Sequence, residues 1–309
     1  MKSVKYFRKP LFNDPVMVAG WPGMGNVALG VVDYMRKSLK VAKLCEVRSD
    51  RGGSYESVAV DEGLARFPAP PKTTLFFTTS PEIIIVEGEA QLSGDESKEL
   101  METVVEIAAQ CKVRKIFTGA AFPMPMSHSD PSELFGASNT KTVFPGLAKL
   151  GIKMMDGGHI SGLNGLLLGF AAKRKIDAVC LLATMPQYAI GFNNPKASRA
   201  VLEALGKMHN WTIDFDELEE YERDIDEKMA LIEGRVKEVF SAEKTDELEQ
   251  RADQGARKIP SNIIKKIERL FKEAKRDKKN AYLLKNELDR WDLFKVFEDR
   301  FLDLFKESQ

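Results

Sequence analysis

The chain has 309 residues, 43% of them hydrophobic, with 46 basic and 46 acidic side chains and a formal net charge of zero. That length supports one large domain with an appendage, or two domains, each with a real core. Balanced charge excludes a global field that would draw the chain to nucleic acid or an anionic membrane, and no apolar stretch reaches the length of a membrane span.

The basic start, Met1 to Pro10, lacks the apolar run of a signal peptide, so the chain is expected in the cytoplasm. Residues 15–19 read as a short apolar strand. The turn that follows, Gly20-Trp21-Pro22-Gly23-Met24-Gly25-Asn26, holds three glycines and a proline in six residues. It leads into a helix with Val27, Val31, Tyr34 and Met35 on one face. Strand, glycine-rich turn and helix form a place where backbone N–H groups meet an anion or another backbone. The spacing is neither that of a dinucleotide fold nor that of a phosphate-binding loop with its Lys-Ser/Thr pair, so close strand-to-helix packing is the plainer reading.

Further strand-length runs fall at 41–47, 57–60, 73–78, 82–86, 113–118 and 177–184. Helical periodicity marks 93–111 through Leu100, Val104, Ile107, Ala108 and Cys111, with Ser93 and Glu96 spaced as a capping box. Residues 161–174 read as a buried helix, with Gly165 and Gly169 set for close backbone approach and Ser161 placed to cap it. Alternating strands and helices predict a wound sheet covered on both sides, with ligands expected beyond the carboxyl ends of its strands. The loops 20–26, 79–82, 119–131 and 184–195 all follow expected strands and are candidates to gather on one edge. Cys45, Cys111 and Cys180 are too few and too scattered for a disulfide framework and read as small core residues.

Composition changes near Trp211. Thirteen of the fourteen prolines precede it, whereas 47 of the 92 charged residues follow. The expected division is an α/β domain over 1–212 and a charged, all-helical extension over 213–309. In the extension Leu218, Tyr221, Ile225, Met229, Ile232, Val236 and Phe240 form a narrow stripe on one long helix. Ile263, Ile267, Leu270, Phe271 and Ala274 mark a second helix, opened by Pro260 and capped by Ser261. A last helix carries Leu284, Leu288, Trp291, Phe294, Phe297, Phe301 and Leu304, an aromatic face that packs on the other helices or on a partner. The basic run Lys272–Lys279 reads as a solvated helix end.

Candidate chemistry is thin. His209 has no obvious partner and reads as a surface residue. His128 and Asp130 sit in a proline-rich loop, and His159 follows Asp156-Gly157-Gly158 in another. Together with a serine they are the material for a hydrolase, but no Gly-x-Ser-x-Gly elbow supports one. No His-Glu-x-x-His or paired Cys-x-x-Cys supports a metal, and no cofactor is expected. Asp95, Glu96, Asp214 and Asp216 are helix-start charges.

Five segments in order carry something more specific: GWPGMGN, FFTTSPE, TGAAFPMPMSHSDP, DGGHISGLNGLLLGFAAKRKIDAVCLLATMPQYA and NNPKASRAVLEAL. In this order and spacing, over residues 10–210, the chain closely resembles the family of proteasome assembly chaperone 2 and its archaeal and bacterial relatives. The resemblance implies a three-layer α/β/α unit similar to the purine phosphorylase and peptidyl hydrolase folds. It implies homo-oligomers or heterodimers and, in some members, binding to proteasome α-subunits through a tail ending hydrophobic–Tyr–any residue. Here Glu307 and Ser308 stand at those positions, so docking through the tail is not expected, and α-subunit binding would use another face. The labels ATP-grasp or carboxylate–amine ligase, attached to some members, do not carry over either, because no basic and acidic set for ATP and its metal stands out.

The matching pieces point to a groove for a ligand or partner. Its candidates are Gly20, Trp21, Pro22, Gly23, Met24, Gly25 and Asn26 on the first turn, and Asp156, Gly157, Gly158 and Asn164 on a second segment. Pro186 and Tyr188 complete it. Backbone donors at 23–26 and 157–159 are candidates to hold a carboxylate or phosphate. The leading expectation is a non-enzymatic, chaperone-like homo-oligomer, with proteasome α-subunits as a partner and no nucleic acid or membrane. The alternative is a hydrolase or phosphorylase-like enzyme that binds a small anion and uses His128, Asp130 and His159.

Overall fold

The structure is a computed structural model. It describes residues 2–49, 58–67, 69–253, 261–276 and 280–291, together with 293, 294, 297, 300, 301 and 304, but not the side chains of 2, 49, 236–253, 261, 262, 264 and 276. The chain forms two compact units, Met1–Gly234 and Arg235–Gln309. The start of the strand expected at 57, Pro260, Lys278–Lys279, the side chains of Val236 and Phe240, and the tail Phe305–Gln309 all lie outside the described residues.

The first unit is built on a nine-stranded sheet of order β1-β3-β6-β7-β2-β8-β11-β9-β10. The strands are β1 (Lys2–Tyr6), β2 (Val16–Gly20), β3 (Ala42–Ser49), β6 (Lys72–Thr79), β7 (Glu82–Gly88), β8 (Lys115–Met124), β9 (Leu134–Ser138), β10 (Lys153–Met154) and β11 (Asp177–Pro186). A separate hairpin pairs β4 (Ala59–Asp61) with β5 (Leu64–Arg66). At the centre β7, β2, β8 and β11 run parallel, so their carboxyl ends share one edge. The flanking pairs β1/β3, β3/β6, β6/β7 and β11/β9 are antiparallel.

Strand side chains alternate between the two faces, and each face meets its own helices. Val16, Val18, Ile83, Ile85, Phe117 and Val179 point to the side of α1 (Val27–Ser38) and α5 (Pro195–His209). Met17, Ala19, Ile84, Val86, Ile116 and Ala178 point to the side of α2 (Gly94–Gln110) and α4 (Gly162–Lys173). Both faces are covered, which is why the central strands read as unbroken apolar runs. The short helix α3 (Phe144–Ala148) adds Leu147 to the first face. Leu218 and Met229, from the first half of α6 (Asp216–Asp253), belong to that same core. The compositional change near 212 and the contact boundary at 234 are therefore different boundaries.

Several local expectations need correction. Ser93 stands at the amino end of α2 in extended conformation, but its side chain accepts no capping hydrogen bond. Nor does Ser161 cap α4; the orphan N–H of Leu163 goes to Gln91 Oε1 at 2.9 Å instead. The helix α4 is buried on one side only, with Leu166 well exposed. A Cβ on Gly165 would lie 2.1 Å from the Ile160 carbonyl oxygen, so close approach holds there, whereas Gly169 faces open space. His209 is not a surface residue. Its ring stacks on Trp211 at 4.5 Å and meets the Phe117 edge at 5.2 Å, and burial, with Lys115 and Arg114 nearby, pushes its pKa down to about 4.

The second unit has its own small core. Ile267, Leu270, Phe271 and Ala274 of α7 (Ser261–Arg276) pack with Leu284 and Leu288 of α8 (Ala281–Arg290) and with Phe297 and Phe301. The aromatic face thus packs on neighbouring helical residues. The last helix is not continuous: α8 ends at Arg290, and Trp291 caps it in a non-helical conformation. Arg300 forks onto both carboxylate oxygens of Glu268 and lies over the Phe271 ring at 4.2 Å.

Candidate functional site

The carboxyl edge is organised around Trp21, which is fully buried just past β2. Asn164 on α4 grips its backbone from both sides: Trp21 N–H donates to Asn164 Oδ1 at 3.0 Å, and Asn164 Nδ2 donates to Trp21 O at 3.1 Å. The indole Nε1 donates to Thr73 Oγ1 at 3.2 Å. A Cβ on Gly88 would sit 1.9 Å from the Trp21 ring, so the end of β7 carries glycine to admit that ring. Trp21 and Asn164 are therefore pegs that fix the turn.

The N–H groups of Gly23, Gly25 and Asn26 in the turn are taken up within the protein. Gly23 N–H donates to Asn26 Oδ1 at 3.2 Å, and Asn26 N–H returns to Gly23 O at 2.9 Å. Gly25 N–H reaches Ile190 O at 3.0 Å, while Asn194 N–H donates to Gly25 O at 2.8 Å. Asn26 Nδ2 donates to Asn193 Oδ1 at 2.8 Å. The turn after β2 and the loop after β11 are thus interlocked, and these N–H groups are not aimed at an anion. Gln91, which sequence reasoning missed, completes the join: its Nε2 donates to Pro22 O and its Oε1 accepts from Leu163. No periodicity signals a lone loop glutamine.

A cavity of about 200 Å³ remains at this edge, lined by Gly23, Met24, Gln91, Pro123, His159 and Asn164 among others. Asp156, Gly157 and Gly158 are exposed and stay outside its lining.

The proposed histidine set divides. His159 lines that cavity, whereas His128 and Asp130 line a separate space of about 10 Å³ with Pro186 and Lys196. Asp130 closes a local turn by accepting from Ser127 N–H at 2.8 Å. The residue that organises this corner is Glu233, buried on α6. Its carboxylate lies 2.6 Å from His128 Nδ1 and accepts from His128 N–H at 3.0 Å, Ser127 Oγ at 2.9 Å and Tyr188 Oη at 2.7 Å. Burial and the Glu233 carboxylate push the Tyr188 phenol well above its ordinary range, so it stays protonated and donates. Lys196 Nζ adds bonds to His128 O and to Asp226, at 2.6 and 2.8 Å. Ser127, His128 and Glu233 carry the residue types of a hydrolytic triad, but Ser127 bonds the carboxylate and the space holds no more than a water. The cluster anchors α6. Its signal in the sequence was an acid four residues beyond Met229, on the apolar stripe.

All three cysteines are free thiols, with Cys45 and Cys180 buried and pushed up to about 12 by burial. These two are core residues, whereas Cys111 is half-buried beside the core.

The family model of the PAC2 family matches residues 17–233. The chain belongs to the PAC2 family. The match ends beside the contact boundary at Gly234, so the family unit includes the docked half of α6 and its Glu233. A protein of Methanocaldococcus jannaschii is 27% identical over 247 residues, covering 76% of this chain and 88% of that protein. Pyrococcus furiosus PbaB, described as an archaeal proteasome activator, superposes with a TM-score of 0.64 at 21% identity, covering 75% of this chain and 98% of that one. Pyrococcus furiosus PbaA, an archaeal homologue of proteasome-assembly chaperone, gives 0.60 at 20% identity, with 75% and 97% coverage. A Mycobacterium tuberculosis proteasome-assembly chaperone homologue gives 0.58 at 19%, with 70% and 95% coverage. These structural likenesses establish the PAC2-type α/β fold. Among the described residues no helix is long and apolar enough to cross a membrane, and no group of three or more His, Cys, Asp or Glu side chains gathers as for a metal.

Proposed function

We propose that this PAC2-family chain is a non-enzymatic, chaperone-like binding protein of the cytoplasm that acts as a homo-oligomer in assembly of the proteasome core, with the α-subunits as its partner. The observation that carries the reading is the internal use of polar groups at the carboxyl edge. The N–H groups of Gly23, Gly25 and Asn26 are taken up by Asn26 Oδ1, Ile190 O and Gly23 O, and His128 and Tyr188 are separately held by Glu233, which supports a rigid surface over a reaction centre. The names of the PbaA, PbaB and mycobacterial neighbours support the proteasome as the setting. The β4–β5 hairpin, with Val58, Val60 and Leu64 exposed, suits protein contact. Mixing the purified chain with proteasome α-subunits and weighing the products by native mass spectrometry tests the proposal. Defined complexes with α-subunits support it; an unchanged chain beside unchanged α-subunits overturns it.

One observation keeps a second reading in view. His159 is exposed and lines a cavity of about 200 Å³ at the strand ends, where a hydrolase or phosphorylase-like enzyme would hold a small anion. Under that reading His159→Ala abolishes turnover; under the first it leaves α-subunit binding intact.

A further inference from the structure

On the side of the sheet that α1 covers, the cover stops short. α1 lies over β7, β2 and β8, and its Arg36 reaches the Phe76 ring of β6 at 5.7 Å. Beyond β6 the same face of β3 and β1 is left open among the described residues, with Lys5, Lys43 and Arg48 exposed. The opposite face of β3 is closed, because Leu44, Cys45 and Val47 pack into the core of α2. Register fixes what the open face carries. Lys5 stands opposite Glu46, Arg48 opposite Lys72 and Lys43 opposite Phe76, and paired residues share a face. Lys5 and Lys43 both lie over the exposed Phe7 ring, at 5.2 and 5.5 Å. Lys43, Arg48 and Lys72 gather on the buried Glu46 carboxylate, and Lys72 also lies 3.7 Å from Glu89. Four cations thus meet two carboxylates, and exposed Arg8 and Lys40 add charge near the start of β3. The result is a basic shelf with an aromatic ring in it. At about 4.8 Å between strands it is about 10 Å wide, the diameter of one helix.

The zero net charge hides a segregation. Residues 1–48 hold nine basic and three acidic side chains, whereas residues 214–234 hold ten acidic and two basic ones. In the docked half of α6, Glu217, Glu220, Asp224 and Glu227 follow one another by three, four and three residues, so they line one stripe. All four are exposed, and none makes a hydrogen bond or ion pair among the described residues. Leu218, Met229 and Glu233 are buried on the other side of the same helix, so the stripe faces away from the chain's own core. Its ten steps rise about 15 Å. The shelf from Lys43 to Arg48 is about 16 Å long.

We propose that the open face of β1 and β3 receives the acidic stripe of α6 from a second copy of this chain, a contact that rests on the homo-oligomer reading and gives it its two surfaces. Charge complementarity selects the occupant. The shelf has room for one helix and calls for an acidic one, and the stripe matches it in sign and in length. The contact is made between copies, because α6 is already tied to its own α5 by Arg199 to Glu219 and Glu222 and by Lys196 to Asp226. Each copy carries one shelf and one stripe. Two copies therefore close a symmetric pair by making the contact twice, or several close a ring by making it head to tail.

The test uses the full-length protein. Self-association is read by analytical ultracentrifugation in about 50 mM and about 500 mM salt, with a dissociation constant expected to rise about ten-fold or more at the higher salt. Two double variants carry reversed charge at exposed positions: Glu220→Lys with Asp224→Lys, and Lys5→Glu with Lys40→Glu. Each is expected to weaken self-association about ten-fold or more, and mixing the two in equal amounts to restore it, since each then offers the other a complementary face. Variants that associate as wild type, or that stay apart when mixed, overturn the proposal and leave the homo-oligomer reading to another face. A wild-type chain that is monomeric at both salt concentrations overturns both. If Glu220→Lys with Asp224→Lys loses α-subunit binding while the oligomer persists, the stripe belongs to the α-subunits and the proposal fails. Should a variant not fold, as judged by circular dichroism, the wild-type protein decides. Ordinary and nitrogen-15-labelled chains are mixed and joined by a carbodiimide, which links lysines to carboxylates in contact. Mixed-isotope links from Lys5 or Lys43 to the stripe are expected, and their absence overturns the proposal.

Discussion

Asn164 and Trp21 hold each other by a reciprocal pair of hydrogen bonds, 3.0 and 3.1 Å long, that ties α4 to the end of β2. Both residues are buried, so the amide meets backbone groups that water does not reach. Removing it in Asn164→Ala leaves a buried N–H and a buried carbonyl unpaired. The expected loss is about 2–4 kcal/mol, read as a lower urea midpoint with an unchanged slope. Asn164→Asp keeps the acceptor and loses the donor, and it puts a carboxylate near Trp21 O, so it is expected to be no milder than alanine.

Gly88 and Trp21 make a second coupled pair. Gly88→Ala drives a methyl group into the indole, and the expected destabilisation is about 3 kcal/mol or more, because both the strand and the ring are held on all sides. Trp21→Leu is costly alone but should tolerate alanine at 88. A double-mutant cycle in which Gly88→Ala costs as much in the Trp21→Leu background as in wild type would contradict this account.

Glu233 anchors α6 as an acceptor only, which sets a sharp expectation for its amide. His128 N–H, Ser127 Oγ and Tyr188 Oη all donate to it. Glu233→Gln keeps an oxygen at the Oε2 position, where these contacts converge, and sets its NH₂ group against the Ser127 hydroxyl, which can accept. It should therefore destabilise less than Glu233→Ala, which is expected to cost about 2–4 kcal/mol. Hydrogen exchange should show residues 216–234 losing protection first, while β2 and β8 stay protected. His128 belongs to the same anchor, so His128→Ala is a stability variant and a poor probe of catalysis.

Two titrations should appear in separate windows of the stability profile. The His209 pKa is lowered from 6.5 to about 4 in the folded state, chiefly by burial. The unfolded chain binds that proton first, so stability is full above about 6.5 and is lost as pH falls toward 4. Glu46 is held down from 4.5 to about 2, first by its hydrogen bond from Lys43 and then by Arg48 and Lys72, with burial opposing. Its contribution is present above 4.5 and lost as pH falls toward 2. His209→Phe should flatten the upper window alone, and Lys43→Met the lower one, in urea melts taken between pH 7 and pH 3.

In the second unit Phe271 sits at the centre of the small core, against Phe297 and under Arg300. Phe271→Ala should cost that unit about 3–5 kcal/mol. Exchange protection should fall in α7 and α8, with the sheet of the first unit unaffected.

The sheet core was legible because its strands are long and continuously apolar; Leu75–Phe77 and Ala178–Ala183 announce themselves. The edge strands were not. β1 is Lys-Ser-Val-Lys-Tyr and β10 has two residues, so neither carries an alternation to read. The motif segments placed Trp21, Gly25 and Asn26 at the strand ends, but could not show that their polar groups bond to Asn164, Ile190 and Asn193. Those partners are more than 140 residues away, and only the fold brings them together. His209 escaped for the same reason, since its aromatic neighbour Phe117 lies on a strand 92 residues earlier. Glu233 was within reach: a glutamate on an apolar helical stripe is a residue waiting for donors.

The decisive measurement is assembly of proteasome core particles from purified subunits, followed over time with and without this chain. The account predicts faster assembly or a higher yield with the chain, by way of a complex containing α-subunits, and the same gain with His159→Ala. An assembly course that the chain leaves unchanged, together with no complex with α-subunits, would contradict it.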